Sequence, residues 1–373
     1  MKKDLELMEK VVSLAKRRGF IYPSSEIYGG FSGFWDYGPL GVELRHNIKQ
    51  SFWDRFVSSR EDIYPISTSI VMSPKVWEAS GHVSNFDDPI DDGKSFNVMF
   101  KTQVGAGEED TTSYLRPETA QGMFVNFKNI IDTFHPKLPF GIAQIGKAFR
   151  NEISPRDFLF RSREFEQMEI EYFIREKDWE KIFEDWRKSM IGWMDEIGLP
   201  KKMVHELEVS EEDRAHYSKR TIDFEFDFPF GKKELYGLAY RTDFDLRNHS
   251  TNSGVDLQYF DDESGERFTP HCIEPTFGVD RTVLAILVSA YREDKIGEEP
   301  RAYLKLSKNI APVRVAVFPL LKNKPELVTK AREIYENLKN TIGGQQLGTI
   351  VFDTMATLAN VTGDKMKSEH HSV

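Results

Sequence analysis

Two strand-like stretches separated by an arginine-rich turn constrain the fold more than any other part of the chain. Residues 141–152 (GIAQIGKAFRNE) and 163–173 (REFEQMEIEYF) are rich in β-branched and aromatic residues, and SPRDFLFRSR between them brings a Ser-Pro turn signal and three arginines. This pattern predicts an antiparallel hairpin with a basic loop. Two apart on one strand, Arg150 and Glu152 share a face of that ribbon. A phosphate-binding cation and an acceptor for an exocyclic amine would there address opposite ends of one ATP, with Phe165 placed to stack on the base. Taken alone, Arg and Glu two apart on a strand make an ordinary solvated ion pair. The nucleotide reading therefore depends on two further segments.

One is Arg116-Pro117-Glu118-Thr119-Ala120-Gln121-Gly122, ahead of the hairpin; the other is Ile273-Glu274-Pro275-Thr276-Phe277-Gly278-Val279-Asp280-Arg281, read as a strand that breaks at Pro275 and opens a helix with apolar residues at helical spacing. Around them, residues 4–18 read as a helix, about 42–57 as another, and 96–104 as a short strand between turn-rich stretches. Residues 178–197 predict an amphipathic helix whose stripe of Trp179, Ile182, Phe183, Trp186, Met190 and Trp193 belongs to a core. IDFEFDFPFG and KKELYGLAYRTDF alternate as two antiparallel strands. These pieces imply an antiparallel sheet flanked by helices, α+β rather than doubly wound. Near Pro312 the pattern changes to strand, amphipathic helix and strand, so a small α/β unit follows a larger one, and 373 residues suffice for both.

The ordered strings resemble the homodimeric glycyl-tRNA synthetases of class II. FRNE with REFEQMEIEYF is similar to the second signature motif of the class, EPTFGVDR to the third, and FWDRFVSSREDIYPISTSIVMSP, ending at Pro74, to the first. SSEIYGGFSGFWDYGPLGVELRHNIK, WEASGH, LRPETAQG and ELYGLAYRTDFDL are similar to strings of the glycyl family, in family order over roughly residues 5–320. The resemblance implies a class II catalytic core over 1–308, a reduced anticodon-binding-like domain over 309–373, and an enzyme that activates glycine with ATP and transfers it to tRNA(Gly). It implies that Arg150 holds the α-phosphate and the reacting carboxylate, Arg281 the γ-phosphate, Glu152 the adenine amine and Phe165 the ring. Mg²⁺ would bridge the phosphates, with Glu234 as its protein carboxylate. Glu118, Glu169 and Glu274 would converge on the ammonium group of glycine, with Arg241 near its carboxylate and Thr276 where the family usually has serine. Three carboxylates in one pocket repel unless a cation neutralises them, which is what an ammonium ligand does. Arg156, Arg161 and Arg163 would contact tRNA, and the helix and strand of the first motif imply a homodimer.

Net charge of −10 argues against a general nucleic-acid binder, so tRNA contact is expected to be local and no DNA partner is expected. There is no apolar run long enough to span a bilayer, no secretory signal is visible, and Cys272 alone allows no internal disulfide, which suits a reducing cytoplasm. Cys272 is expected to serve in packing. The chain departs from the family in a short passage at 88–94 where a longer insertion is common. It also has Gly231-Lys232-Lys233 in place of a Gly-Trp turn, and GDKMKSEHHSV in place of an arginine-rich strand; His370 and His371 there are expected to be a polar terminus rather than a metal site. Two other readings stay open on that account. One is a synthetase-derived dimeric scaffold that does not charge tRNA, and the other is a glycine-adenylating enzyme with a different acceptor.

Overall fold

Alternation along the hairpin builds the centre of the molecule. The computed structural model describes residues 2–90, 94–106, 111–215, 217–347 and 349–352. Its main sheet has seven strands: β1 (Ile63–Pro65), β2 (Phe140–Phe149), β3 (Glu164–Ile174), β4 (Val204–Glu208), β5 (Arg220–Phe228), β6 (Gly231–Thr242) and β7 (His271–Gly278). Their order is β4-β5-β6-β7-β3-β2-β1, and every neighbouring pair is antiparallel except β1 with β2. The flanking helices are α1 (Lys2–Arg17), α2 (Pro39–Trp53), α3 (Trp179–Glu196), α4 (Phe244–Ser253) and α5 (Val279–Ala290).

Side chains alternate between faces of a strand, and here the two faces have different tasks. Met168, Ile170 and Tyr172 of β3, Ile273 and Phe277 of β7, and Phe224 and Phe226 of β5 enter one continuous core with α1, α2, α3 and α5. The aromatic stripe of α3 packs there as predicted: the Trp193 ring lies 5.1 Å from Phe277 and 6.2 Å from Phe52, and Trp186 lies 5.8 Å from Phe56. The opposite face of the same strands carries Phe165, Gln167, Glu169, Glu274 and Thr276, which line a cleft. Gly146 on β2 is required by what crosses it: a Cβ would meet the Arg116 guanidinium at 2.2 Å, and that guanidinium donates to Lys147 O (2.6 Å) and Thr68 O (2.9 Å). This lays the 116–122 segment over the hairpin.

Three local expectations change. Arg150 and Glu152 lie beyond the end of β2 at Phe149, in a turn where Glu152 N donates to Arg150 O (2.7 Å), so they do not share a strand face. Strand β7 does not break at Pro275 but runs to Gly278, because the missing N–H costs only local pairing: the β3–β7 ladder omits residues 274 and 275, while Pro275 stays in register with Leu238 of β6. The 96–104 stretch is two strands, Lys94–Asn97 and Lys101–Val104, rather than one. The C-terminal unit comprises β8 (Val313–Val317), α6 (Pro325–Leu347) and β9 (Thr349–Phe352), with β8 parallel to β9. Residues 353–373, including His370 and His371, lie outside the described residues. No helix among the described residues is long and apolar enough to cross a membrane.

Candidate active site

The cleft over the sheet has a volume of about 340 Å³ and two ends of different chemistry. At the first, the Arg150 guanidinium lies between two rings, 5.2 Å from the centroid of Phe86 and 5.3 Å from that of Phe165, and its Nε donates to Pro117 O at 3.0 Å. Arg281, on the first turn of α5, lies over Phe160 (4.4 Å) with Nη1 3.1 Å from Glu234 Oε2. The two cations are thus presented by different elements to one space; the rings beside Arg150 leave its charge available to a ligand, whereas Arg281 is paired with Glu234. Glu152 is held by Arg161, whose Nε donates to its carboxylate at 2.6 Å. Arg163 donates to Glu152 O and Ser32 O, both at 3.0 Å, while Arg156 projects outward with its side chain 64% exposed. Of the three loop arginines, two hold the loop and one faces solvent.

Beside Arg281 lies a group that sequence reading missed. Asp223 lines the cleft, and Glu225 stands opposite Glu234 across the β5–β6 ladder. Burial, then the charges of Glu234 and Glu225, push Asp223 up to about 7 against the opposing pull of Arg281. Such a carboxyl cluster favours a cation.

At the other end, Glu118, Glu169, Glu274 and Thr276 meet. Glu169 accepts from Thr276 Oγ1 (3.0 Å) and from Thr119 Oγ1. Glu118 accepts from Gln121 Nε2 (3.0 Å) and lies 3.3 Å from His82 Nε2. Burial raises Glu118, but His82, Arg241 and Gln121 outweigh it and hold the carboxyl far below its ordinary range. Burial and the Glu118 charge raise Glu169. Burial also raises Glu274; Arg241 opposes it, Glu169 and Glu118 add to it, and the result is about 8.

Arg241 organises this end from beneath. Its Nε and Nη2 grip Asp245 (2.8 and 2.9 Å), its Nη1 donates to Glu274 (2.8 Å), and it lies 3.9 Å over the Tyr217 ring. Three of its five N–H groups are thereby used on protein partners. Asp245 reaches it because Thr242 adopts a left-handed φ of 58°, rare for a β-branched residue, and turns β6 directly into α4. Gln121 Nε2 also donates to Asp245 (3.0 Å), so its Oε1 faces His249 Nε2 at 2.7 Å and that ring nitrogen is the donor. Sequence reading placed Glu118, Glu169, Arg241, Glu274 and Thr276, and the structure brings them together. It missed Asp245, Thr119, Gln121, His82 and Tyr217, although four of these lie inside or beside the quoted strings.

A largely antiparallel sheet with the long helices α1, α2, α3 and α5 packed on one face, and on the other a cleft lined by an arginine from each of two motif segments, is the architecture of the class II synthetase core. The family model for the tRNA synthetase class II core domain (G, H, P, S and T) matches residues 100–290. The fold also resembles that of a Giardia lamblia prolyl-tRNA synthetase in complex with prolyl-adenylate (TM-score 0.71, 17% identity, 98% of this chain and 67% of that one). Glycine–tRNA ligases of Caldanaerobacter subterraneus and Geobacillus thermodenitrificans are 43% and 42% identical to the chain over 89% of its length and 84% and 83% of theirs. The chain belongs to the glycine–tRNA ligase family of class II synthetases.

Proposed function

We propose that the chain activates glycine with ATP and transfers it to tRNA(Gly). The observation that carries this reading is the convergence of Glu118, Glu169 and Glu274 in a cleft that Arg150 and Arg281 also line. The carboxylate of glycine attacks the α-phosphorus of ATP in line, pyrophosphate leaves with the bonding pair, and a ribose hydroxyl of the tRNA end then takes the glycyl carbonyl and expels AMP. The protein's part is positioning and charge stabilisation. Arg150 spans the α-phosphate and the reacting carboxylate, and Arg281 takes the γ-phosphate of a bent ATP. Phe165 stacks on the base, and Glu152, held by Arg161, accepts from its amine. The glutamates take the ammonium group, with Thr276 fixing Glu169 and Arg241 fixing Glu274. Arg241 addresses the ligand's carboxylate only with the N–H groups that Asp245 and Glu274 leave.

The raised Asp223, beside Glu234 and Glu225, fits a site for Mg²⁺, whose chemistry is to neutralise the phosphates. Exposed Arg156 is proposed to meet the acceptor end of the tRNA, with Arg161 and Arg163 holding the loop that presents it. The edge position of β1 in the sheet supports a homodimer built on the first motif. The test is amino-acid-dependent exchange of pyrophosphate into ATP without tRNA, across all twenty amino acids. Exchange with glycine alone, abolished in Arg150→Ala, is expected; no exchange with any amino acid would favour the scaffold reading instead.

A further inference from the structure

Behind the ammonium pocket lies a carboxyl group that the proposed reaction does not use. Glu171 follows Glu169 by two residues on the same face of β3, is wholly buried, and has one oxygen, Oε1, without a hydrogen-bond partner. Its other oxygen accepts from Cys272 Sγ at 3.0 Å, so Cys272 does more than pack. Carboxyl oxygens of Glu169, Glu171 and Glu274 lie within 4.8 Å of one another, where the β3–β7 ladder skips residues 274 and 275.

The charged and titratable groups around this cluster do not balance it. Glu169 lies on its own strand, Cys272 and Glu274 on β7, Arg241 on β6, Asp245 and His249 on α4, with Tyr217, Glu118 and His82 from the remaining walls. Arg241 is committed to Asp245 and Glu274, and Arg116, whose charge reaches Glu169, donates to Lys147 O and Thr68 O. Leaving a buried carboxylate oxygen unpartnered is costly, whereas a protonated carboxyl is neutral and turns an oxygen into a donor. Burial, then the neighbouring Glu274, raise the Glu171 carboxyl well above its ordinary range.

We propose that Glu171 acts as a neutral carboxylic acid behind the pocket, a positioning residue whose O–H donates to Glu274 and lets Glu274 meet the ammonium group of glycine as a carboxylate. The inference rests on the reading of this pocket as the glycine site. It separates donor from charge and from bulk: Glu171→Gln keeps a neutral donor, and Glu171→Met keeps the volume alone.

In pyrophosphate exchange between pH 6 and 8.5, Glu171→Gln is expected to keep KM for glycine within about twofold of the parent, with the same midpoint in its pH profile. Glu171→Met is expected to raise that KM by about tenfold with kcat little changed, the size of a lost hydrogen bond to a charged group, and to move the midpoint upward. Equal behaviour of the two variants would overturn the proposal, since bulk would then suffice, and so would a tenfold loss in Glu171→Gln, which would mean that a charge is needed.

Thermal melting supplies an arm that needs no glycine. A carboxyl raised on folding contributes stability that is full below its unfolded pKa and is lost as pH rises through the folded value. Glu171→Gln should therefore gain on the parent in melting temperature as pH rises from 5 to 9. Parallel curves, or failure of Glu171→Gln to fold, would overturn the neutral-acid assignment. If the parent shows no glycine-dependent exchange, the glycine reading fails while melting still decides the state of Glu171.

Discussion

Glycine binding should release a proton near neutral pH, and Glu274 is the source. Burial, with the charges of Glu169 and Glu118, raises this carboxyl to about 8 despite Arg241, so the protonated form should predominate at pH 7, at roughly nine-tenths of molecules. An ammonium group arriving at Glu274 favours the carboxylate, so the proton leaves on binding. The sign is fixed: affinity falls as pH drops below the raised value, because the proton must then be expelled first. Each unit below it costs about 1.4 kcal/mol, so KM for glycine should rise about tenfold from pH 7 to pH 6. Titration calorimetry at pH 7 in two buffers of different ionisation enthalpy should detect roughly 0.9 proton released per glycine bound. Glu274→Gln should bind more weakly and show neither effect. A KM that stays flat from pH 6 to pH 8, with no buffer dependence of the binding heat, would refute the assignment of Glu274 to the ammonium group.

Other consequences follow from the same geometry. Arg281→Ala should slow glycine-dependent exchange by about 10² to 10³, the usual effect of removing one preorganised donor from developing charge, while leaving the melting temperature within a few degrees. Thr276→Val removes the hydroxyl that holds Glu169 and should raise KM for glycine by roughly tenfold without admitting alanine, as competition kinetics would show. Trp193→Ala empties a fully buried site against Phe52, Phe277 and Tyr236 and should cost about 3 to 5 kcal/mol in denaturant unfolding.

What the sequence disclosed and what it withheld have physical reasons. Glu274 and Thr276 came from the resemblance and not from alternation, since the strand was expected to break at Pro275; the period of two in fact survives a proline on one ladder and sets Ile273 and Phe277 in the core and Glu274 and Thr276 in the cleft. The α3 stripe was equally plain, since six residues repeat at helical spacing. Arg150 and Glu152 were placed on a strand face because propensity does not report where a ladder stops, and the turn at 150–152 is set by Arg161 and Arg163, in the loop just ahead of the returning strand. Asp245 was invisible as a partner of Arg241. Four positions apart implies contact only on a helix, and the left-handed Thr242 that turns the strand into α4 has no signature in its residue type. Glu171 was not singled out in the sequence, where nothing distinguishes it from the other carboxylates of an alternating strand; its burial and its unpartnered Oε1 are tertiary facts.

The most direct test of the central claim is charging itself: labelled glycine, ATP, Mg²⁺ and a tRNA(Gly) transcript, with the amino acid's attachment to RNA followed by its lability to mild base. The account predicts base-labile, ATP-dependent glycine on the tRNA and none on a tRNA of different identity. Robust glycine-dependent pyrophosphate exchange without any RNA-bound glycine would contradict it and leave an adenylating enzyme with another acceptor.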